Sequence, residues 1–200
     1  MHASPPPLIL ASQSPRRREL LTQLGVTFDV EVAGVEERRE PQEAPADYVQ
    51  RLARHKAGAV ADRRPGRWVL GADTVVVHAG AILEKPGSDA EALVMLGQLS
   101  ASTHAVLTAV ALQCDGECAE VLVQSTVTFK PIEPALAQVY VATGEGADKA
   151  GGYAIQGFGA AFVAHLEGSY SGVVGLPLAE TAQLLSAAAI PIWQRANPHE

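Results

Sequence analysis

Residues 68–77 read WVLGADTVVV, a run of ten in which one carboxylate, Asp73, interrupts mostly small and apolar side chains. A run of this length and composition predicts a central strand that is buried on both faces. Four elements precede it: a short strand at 8–11, a helix at 15–24 that stops at Gly25, a strand at 28–35 and a helix at 45–62. Strands and helices that alternate in this way predict an α/β fold.

The remainder of the chain continues this alternation. The further elements are a turn at Ala79-Gly80, a return strand at 81–83, strands at 104–112 and 119–129 joined by an Asp115-Gly116 turn, and helices at 136–143 and 177–188, the last with proline in its first turn. Ser88 opens another helix, and Glu91 completes a capping box with it. Nine glycines between residues 144 and 175 predict a loop-rich section that lies close to a ligand.

Composition limits the kind of protein this is. The 200 residues are 48% hydrophobic and 18% charged, which predicts one globular domain, or one domain with two lobes. Because the sequence has no repeat, linker or sharp boundary, we expect a single unit over residues 1–200, with its lobes around a cleft. With a net charge of −7, the bulk surface should not attract nucleic acid, so an anionic ligand needs a local group of cations.

Location follows from other features of the sequence. No stretch approaches the roughly 18 apolar residues that a membrane span needs. The first ten residues lack the basic region of a signal peptide, and Cys114 and Cys118 predict two reduced thiols. We therefore expect a cytoplasmic protein without a membrane partner.

Three arginines at 16–18 follow Ser14 and Pro15, where the first helix should begin. Cations at the positive end of a helix dipole are each unfavourable by about 0.3–1 kcal/mol. Arginines and backbone N–H groups that point the same way instead form an anion site, unless this is a solvated basic turn. Lys56 lies on or beside the apolar face of the helix at 45–62. It is either a lysine whose stem covers apolar surface or a second phosphate ligand.

Asp73 needs a cation, a metal ion or a catalytic task, because an unpaired buried carboxylate costs several kcal/mol. A structural ion pair is one explanation, but an Asp at the end of a strand in an α/β protein usually faces the ligand crevice. Lys85 and Lys149 would individually be surface lysines. Together with the arginines and the helical lysine they give an acidic protein one cationic cleft, whose charge matches that of a triphosphate.

Several motifs of other enzyme classes are absent from the sequence. It contains no GxxxxGK[ST], no GxGxxG after the first strand and no GxSxG. No His or Cys cluster indicates a zinc site.

Several stretches resemble motifs of the Maf family, in the same order and spacing. They are ASQSPRR at 11–17, GADT at 71–74 with EKP at 84–86, KAGGYAIQG at 149–157, GSY at 168–170 and VGLP at 174–177. The resemblance covers about residues 7–188. It implies an elongated mixed sheet with flanking helices and a deep central cleft, similar to the fold of the inosine triphosphate pyrophosphatases. It also implies cleavage of nucleoside triphosphates to a monophosphate and pyrophosphate, with Mg²⁺ or Mn²⁺ as cofactor.

The resemblance implies roles for individual residues. Asp73 takes the position of the catalytic carboxylate and, together with Glu37, that of the metal site. The phosphate-binding residues would be Ser12, Ser14, Arg17, Lys56, Lys85 and Lys149. The subgroups of the family differ at the positions of Arg16, Thr74 and Gln156, and the first two resemble the UTP/dTTP subgroup.

Two other functions remain as alternatives. A 7-methyl-GTP pyrophosphatase is disfavoured by Arg16 and Thr74. A non-catalytic, nucleotide-sensing regulator of cell division would have little use for Asp73 beside a polyanion. If the protein is a UTP/dTTP pyrophosphatase, modified uridine triphosphates are as suitable as substrates as UTP. Its role would then be to keep non-standard nucleotides out of nucleic acids, with a link to the arrest of cell division. A homodimer is compatible with this hypothesis.

Overall fold

The computed structural model describes residues 8–193, which form a mixed α/β fold. The strands are β1 (Leu8–Leu10), β2 (Phe28–Val30), β3 (Val69–His78), β4 (Ala81–Leu83), β5 (Thr103–Cys114), β6 (Glu117–Phe129) and β7 (Val163–Glu167). The helices are α1 (Pro15–Gln23), α2 (Pro45–Ala61), α3 (Asp89–Leu99), α4 (Pro134–Ala142), α5 (Tyr170–Val174) and α6 (Leu178–Ala187). Short 3₁₀ turns occupy Ala150–Gly152 and Phe158–Phe162. The first seven residues, for which the sequence predicts no signal peptide, lie outside the described range.

All seven strands belong to one sheet, in the order β2-β1-β3-β5-β6-β7, with β4 paired to β3. Strand β1 pairs in parallel with β2 and with β3, whereas β4 and β7 pair in antiparallel fashion with β3 and β6. The α/β class and the mixed sheet with flanking helices are therefore confirmed. Between residues 8 and 193, no helix is long and apolar enough to cross a membrane.

The chain divides into two compact units. The first contains the chain up to Asp73, Thr108–Leu122 and the chain from Gly175 onward. The second contains Thr74–Leu107 and Val123–Val174. In the second unit, the rings of His104, Phe129 and Tyr153 meet edge to face, with centroids 4.8–5.5 Å apart. Rings in this geometry add directional attraction to the burial of apolar area.

Helix α2 packs directly on β3 in the first unit. Its buried face includes the apolar positions that the helical spacing predicted: Val49, Leu52, Ala53, Ala57 and Val60. The closest approach is at Gly71, where a Cβ would lie 2.4 Å from the Ala53 carbonyl oxygen and 2.6 Å from the Ala57 nitrogen. Glycine is therefore required here because two backbones touch, not because of an unusual φ. This contact determines how near α2 lies to the middle of β3.

Both predicted two-residue turns are confirmed. Asp115 and Gly116 have φ values of 44° and 86°, and Ala79 and Gly80 have values of 49° and 79°. Positive φ at both central residues is typical of the type I′ turn, whose twist matches that of the strands it joins.

Three predictions about local structure were wrong in part. Strand β2 stops at Val30 instead of reaching Val35, because β1 has three residues and offers no partner beyond them. Ser88 caps α3, but the Glu91 carboxylate accepts from Gly87 N instead of Ser88 N, so the capping box is incomplete. Pro177 is the N-cap of α6 and not a residue of its first turn.

Candidate active site

The loop between β1 and α1 places two serines and an arginine around the start of the helix. Ser14 is the N-cap of α1, and its Oγ accepts a hydrogen bond from Arg17 N at 3.4 Å. The buried Ser12 Oγ accepts from Ser14 N at 3.2 Å and from Arg17 Nη1 at 3.5 Å. No acidic residue lies in the first turn of α1, as expected for a helix start that receives an anion.

Arg17 also reaches a distant part of the chain. Its Nε donates to the carbonyl oxygen of Gly175 at 2.8 Å. Burial lowers the pKa of Arg17, whereas the carboxylates of Asp73 and Glu37 raise it and Arg16 lowers it further. These charges therefore act on one another in the first unit, around the start of α1.

Lys56 joins the two acidic site residues that the sequence singled out. Its Nζ lies 2.7 Å from Asp73 Oδ1 and 2.6 Å from Glu37 Oε1. Lys56 and Asp73 are each 7% exposed, so each buried charge has a partner of opposite sign. One ammonium held by two carboxylates leaves this trio with a net negative charge. Lys56 thus orients two carboxylates here, and its contact with phosphate remains a prediction.

Asp73 does not lie at a strand end, which corrects the sequence-based expectation. It is the fifth of the ten residues of β3. The parallel partner β1 ends earlier, however, since Leu10 is paired with Leu70 and Ala11 N donates to Leu70 O. Strand β3 continues past the carboxyl end of β1, and Asp73 lies in that continuation. The carboxyl end of a parallel strand that precedes Asp73 in the sheet is therefore that of β1, where the rule for α/β sheets expects a ligand.

Glu37 is carried by the loop between β2 and α2, and side chains of α2 hold that loop. Tyr48 donates from its hydroxyl to the Glu37 carbonyl oxygen at 3.2 Å, and Arg51 Nη2 donates to Arg38 O at 3.0 Å. Arg51 also makes two bonds to the Glu43 carboxylate, at 2.6 and 2.7 Å. Hydrogen bonds from Arg51 hold the pKa of Glu43 at about 2.

Sequence reasoning missed these loop contacts. Tyr48, Arg51 and Lys56 lie on one helix, at spacings of three and five residues. The spacing of three residues could have indicated that Tyr48 and Arg51 share one face of α2.

Four predicted residues lie in the second unit. Thr74 directly follows Asp73 on β3 and is half-buried, whereas Lys85 and Gln156 are exposed. Lys149 donates from Nζ to the carbonyl oxygen of Glu145 and to Asp148. The segments that carry the two lysines are joined, because Gly151 N donates to Glu84 O at 3.1 Å.

The carboxylates of Asp73 and Glu37 suit a hard divalent cation. Both are oxygen donors, and they converge on the same Lys56 ammonium. In the part of the chain that the structure describes, no group of three or more His, Cys, Asp or Glu residues is arranged to hold a metal. Two carboxylates nevertheless fit Mg²⁺ or Mn²⁺, because such ions commonly take their remaining ligands from water and substrate phosphates.

Fold and site together define a class: an α/β enzyme in which a buried carboxylate and nearby cations suit a phosphorylated substrate. The chain belongs to the Maf family, since the family's pattern, described as Maf-like protein, matches residues 7–188.

Known proteins similar to this chain agree with that membership. It is 54% identical to a dTTP/UTP pyrophosphatase of Alcanivorax borkumensis, over 94% of this chain and 98% of the relative. It is 53% identical to a dTTP/UTP pyrophosphatase of Escherichia coli O157:H7, over 90% and 91%. A third dTTP/UTP pyrophosphatase, from Saccharophagus degradans, is 51% identical over 96% and 93%.

Proposed function

We propose that this protein hydrolyses dTTP and UTP to the nucleoside monophosphate and pyrophosphate. The observation that carries the proposal is the buried Asp73 carboxylate, oriented by Lys56 beside Glu37. Relatives that are more than half identical bear the name of this activity. We expect the activity in the cytoplasm, on standard or modified uridine and thymidine nucleotides.

Hydrolysis of a phosphate anhydride depends on positioning and on neutralising charge. Ser12, Ser14 and Arg17, together with Lys85 and Lys149, would bind the phosphate oxygens. The hydrogen bond from Lys56 to Asp73 Oδ1 restricts the Asp73 side chain to one orientation. A carboxylate must be held in this way if it is to orient a water molecule or accept its proton. Lys56 therefore acts as a positioning residue for Asp73 and Glu37, in addition to any contact with phosphate.

A divalent cation held by Asp73 and Glu37 would supply charge neutralisation at the phosphates when bound. The chain's own part is to keep the two carboxylates close together despite their repulsion, and the Lys56 ammonium does this. The Glu37 loop must also stay in place, which the bonds from Tyr48 and Arg51 secure.

Base selectivity would rest on Arg16, Thr74 and Gln156. Arg16 is donor-only, so it suits the carbonyl oxygens of uracil and thymine and meets the amino group of cytosine badly. Gln156 has a donor and an acceptor, and it discriminates only if its amide is kept in one orientation. Because dTTP lacks the 2′-hydroxyl of UTP, an enzyme that uses both cannot bind that hydroxyl tightly.

The proposal is tested by a panel of UTP, dTTP, CTP, 5-methyl-UTP and 7-methyl-GTP, each assayed with Mg²⁺ and with Mn²⁺. Chromatography should show monophosphate and pyrophosphate as the first products from UTP and dTTP. UDP with free phosphate as first products would refute the assigned cleavage position. A kcat/KM that is larger for 7-methyl-GTP than for UTP and dTTP would identify the protein as a 7-methyl-GTP pyrophosphatase instead. Tight binding of UTP without hydrolysis would support the nucleotide-sensing alternative.

A further inference from the structure

The second unit contains a clamp around the segment from Lys149 to Gly159, and Glu145 is at its centre. The Glu145 carbonyl oxygen accepts from Lys149 Nζ. Its carboxylate accepts from Phe158 N at 2.8 Å through Oε1 and from Gly159 N at 3.0 Å through Oε2. The Glu145 side chain thus holds the carboxyl end of a segment that carries Lys149 and Gln156, whereas its backbone carbonyl binds the Lys149 side chain at the other end.

At two glycines, the turn around Glu145 and the segment are too close to leave room for a side chain. A Cβ at Gly157 would lie 1.7 Å from Glu145 Oε1, so any side chain there would displace the carboxylate. A Cβ at Gly146 would lie 2.0 Å from the Gly152 carbonyl oxygen. Glycines at 146 and 157 let the turn around Glu145 approach the segment at both places.

The middle of the segment is held by two buried tyrosines. Tyr140 OH accepts from Ala154 N at 3.0 Å, and Tyr153 OH is 2.8 Å from His104 Nε2. Burial raises the pKa of Glu145, but bonds from Gly159, Phe158 and the Tyr140 hydroxyl outweigh it and hold that pKa below its ordinary value. The carboxylate form, which accepts these bonds, is therefore favoured.

Gln156 is exposed between these fixed points, with Ala154 on one side and Phe158 on the other. Uracil and cytosine present opposite hydrogen-bonding partners at one edge, and a glutamine amide that can turn over satisfies either. A fixed backbone limits the positions that such an amide can reach. How far Gln156 can discriminate between the two bases therefore depends on how firmly the backbone next to it is held.

We propose that Glu145 is a positioning residue that sets selectivity for uracil over cytosine, by holding the backbone on the carboxyl-terminal side of Gln156 through its bonds to Phe158 N and Gly159 N. This inference rests on the proposed function. It adds a specificity-determining residue that would not touch the nucleotide.

The test compares Glu145→Ala and Glu145→Gln with Glu120→Gln, a control that loses an exposed ion pair to Arg54. We expect the UTP/CTP ratio of kcat/KM to fall about tenfold in Glu145→Ala, a change of 1.4 kcal/mol in discrimination. The amides of Phe158 and Gly159 should exchange with deuterium faster in that variant. The UTP/CTP ratio and the exchange rates of Glu145→Gln should lie between those of Glu145→Ala and those of the wild type. The reason is that a neutral amide oxygen accepts hydrogen bonds more weakly than a carboxylate. Glu120→Gln should match the wild type in both measurements.

A second variant uses the close approach at Gly157. Gly157→Ala should displace the Glu145 carboxylate and lower the UTP/CTP ratio by a similar factor. Because both changes break the same bonds, the double variant with Glu145→Ala should lose little more than either single variant.

Some outcomes would contradict the proposed role of Glu145 in selectivity and leave the proposed function intact. Faster exchange at Phe158 and Gly159 with an unchanged UTP/CTP ratio would mean that Glu145 stabilises the fold alone. Selectivity is also measured as the ratio of Kd values for the α,β-methylene analogues of UTP and CTP. That ratio decides the role of Glu145 even if wild-type protein hydrolyses neither nucleotide, a result that would refute the proposed function.

Discussion

Substitution of Gly71 by alanine should separate Lys56 from Asp73 without touching either residue. The added Cβ would lie 2.4 Å from the Ala53 carbonyl oxygen, whereas ordinary contacts at a Cβ begin at 3.4 Å. Both clashing groups are backbone atoms of α2, which no side-chain rotation can relieve. Helix α2 must therefore retreat from β3 by about 1 Å, since close-packed interiors offer no free space.

The expected magnitudes follow from that displacement. Overpacking of this kind costs about 1–3 kcal/mol of stability, so the variant should still fold. A retreat of 1 Å would lengthen the 2.7 Å contact between Lys56 Nζ and Asp73 Oδ1 beyond hydrogen-bonding distance. A misplacement of 1 Å in an active site, caused by a mutation away from the reacting groups, can lower the rate by about a hundredfold. We therefore expect kcat for UTP to fall by about that factor.

The assay combines urea unfolding with steady-state kinetics, and Gly97→Ala is the matched control. Gly97 lies on α3, is exposed, and has nothing within 4 Å of an added Cβ. Alanine there should increase the free energy of unfolding by about 0.5–1 kcal/mol, through helix propensity, and leave kcat unchanged. If Gly71→Ala loses stability but keeps wild-type kcat, the contact between α2 and β3 does not place Lys56 for catalysis.

Three further predictions concern the charged residues. Asp73→Asn should abolish hydrolysis while calorimetry still detects nucleotide binding; retention of more than about a tenth of wild-type kcat would contradict the catalytic role. Arg16→Ala should lower the UTP/CTP ratio of kcat/KM, whereas Arg17→Ala should weaken all triphosphates alike; equal losses of kcat/KM for UTP, dTTP and CTP in Arg16→Ala would make Arg16 a phosphate ligand. The depressed pKa of Glu43, about 2 against 4.5, means that its bond with Arg51 stabilises the fold above pH 4.5 and is lost as the pH falls toward 2. The stability difference between wild type and Arg51→Met should therefore shrink by about 1–2 kcal/mol between pH 7 and pH 3, and a difference independent of pH would exclude the ionised pair.

Local patterns predicted most of the helices and strands. The apolar spacing of residues 45–62 predicted α2 and its buried face, and the Asp115-Gly116 and Ala79-Gly80 pairs predicted the two turns. The alternation of elements predicted the α/β class. These features depend on side chains within a few residues of one another, and the sequence shows those directly.

Edge elements were less predictable. Strand β7 and helix α5 lie in the glycine-rich section and were not expected. Only Val163 and Leu166 of β7 are half-buried, and its other residues are exposed, so no apolar alternation indicated a strand. The length of β2 depended on that of its partner β1, because a strand continues only where a neighbour accepts its hydrogen bonds.

The residue types and spacing of the motifs were sufficient to indicate the family and to select Asp73, Glu37 and Lys56. Tertiary structure alone decided that the lysine holds both carboxylates, that Arg17 bonds to the carbonyl oxygen of Gly175, 158 residues away, and that Gly71 brings α2 against β3. The physical reason is that each of these contacts joins segments that are distant in sequence. Their distances depend on how whole elements pack, and no local pattern of residues contains that information.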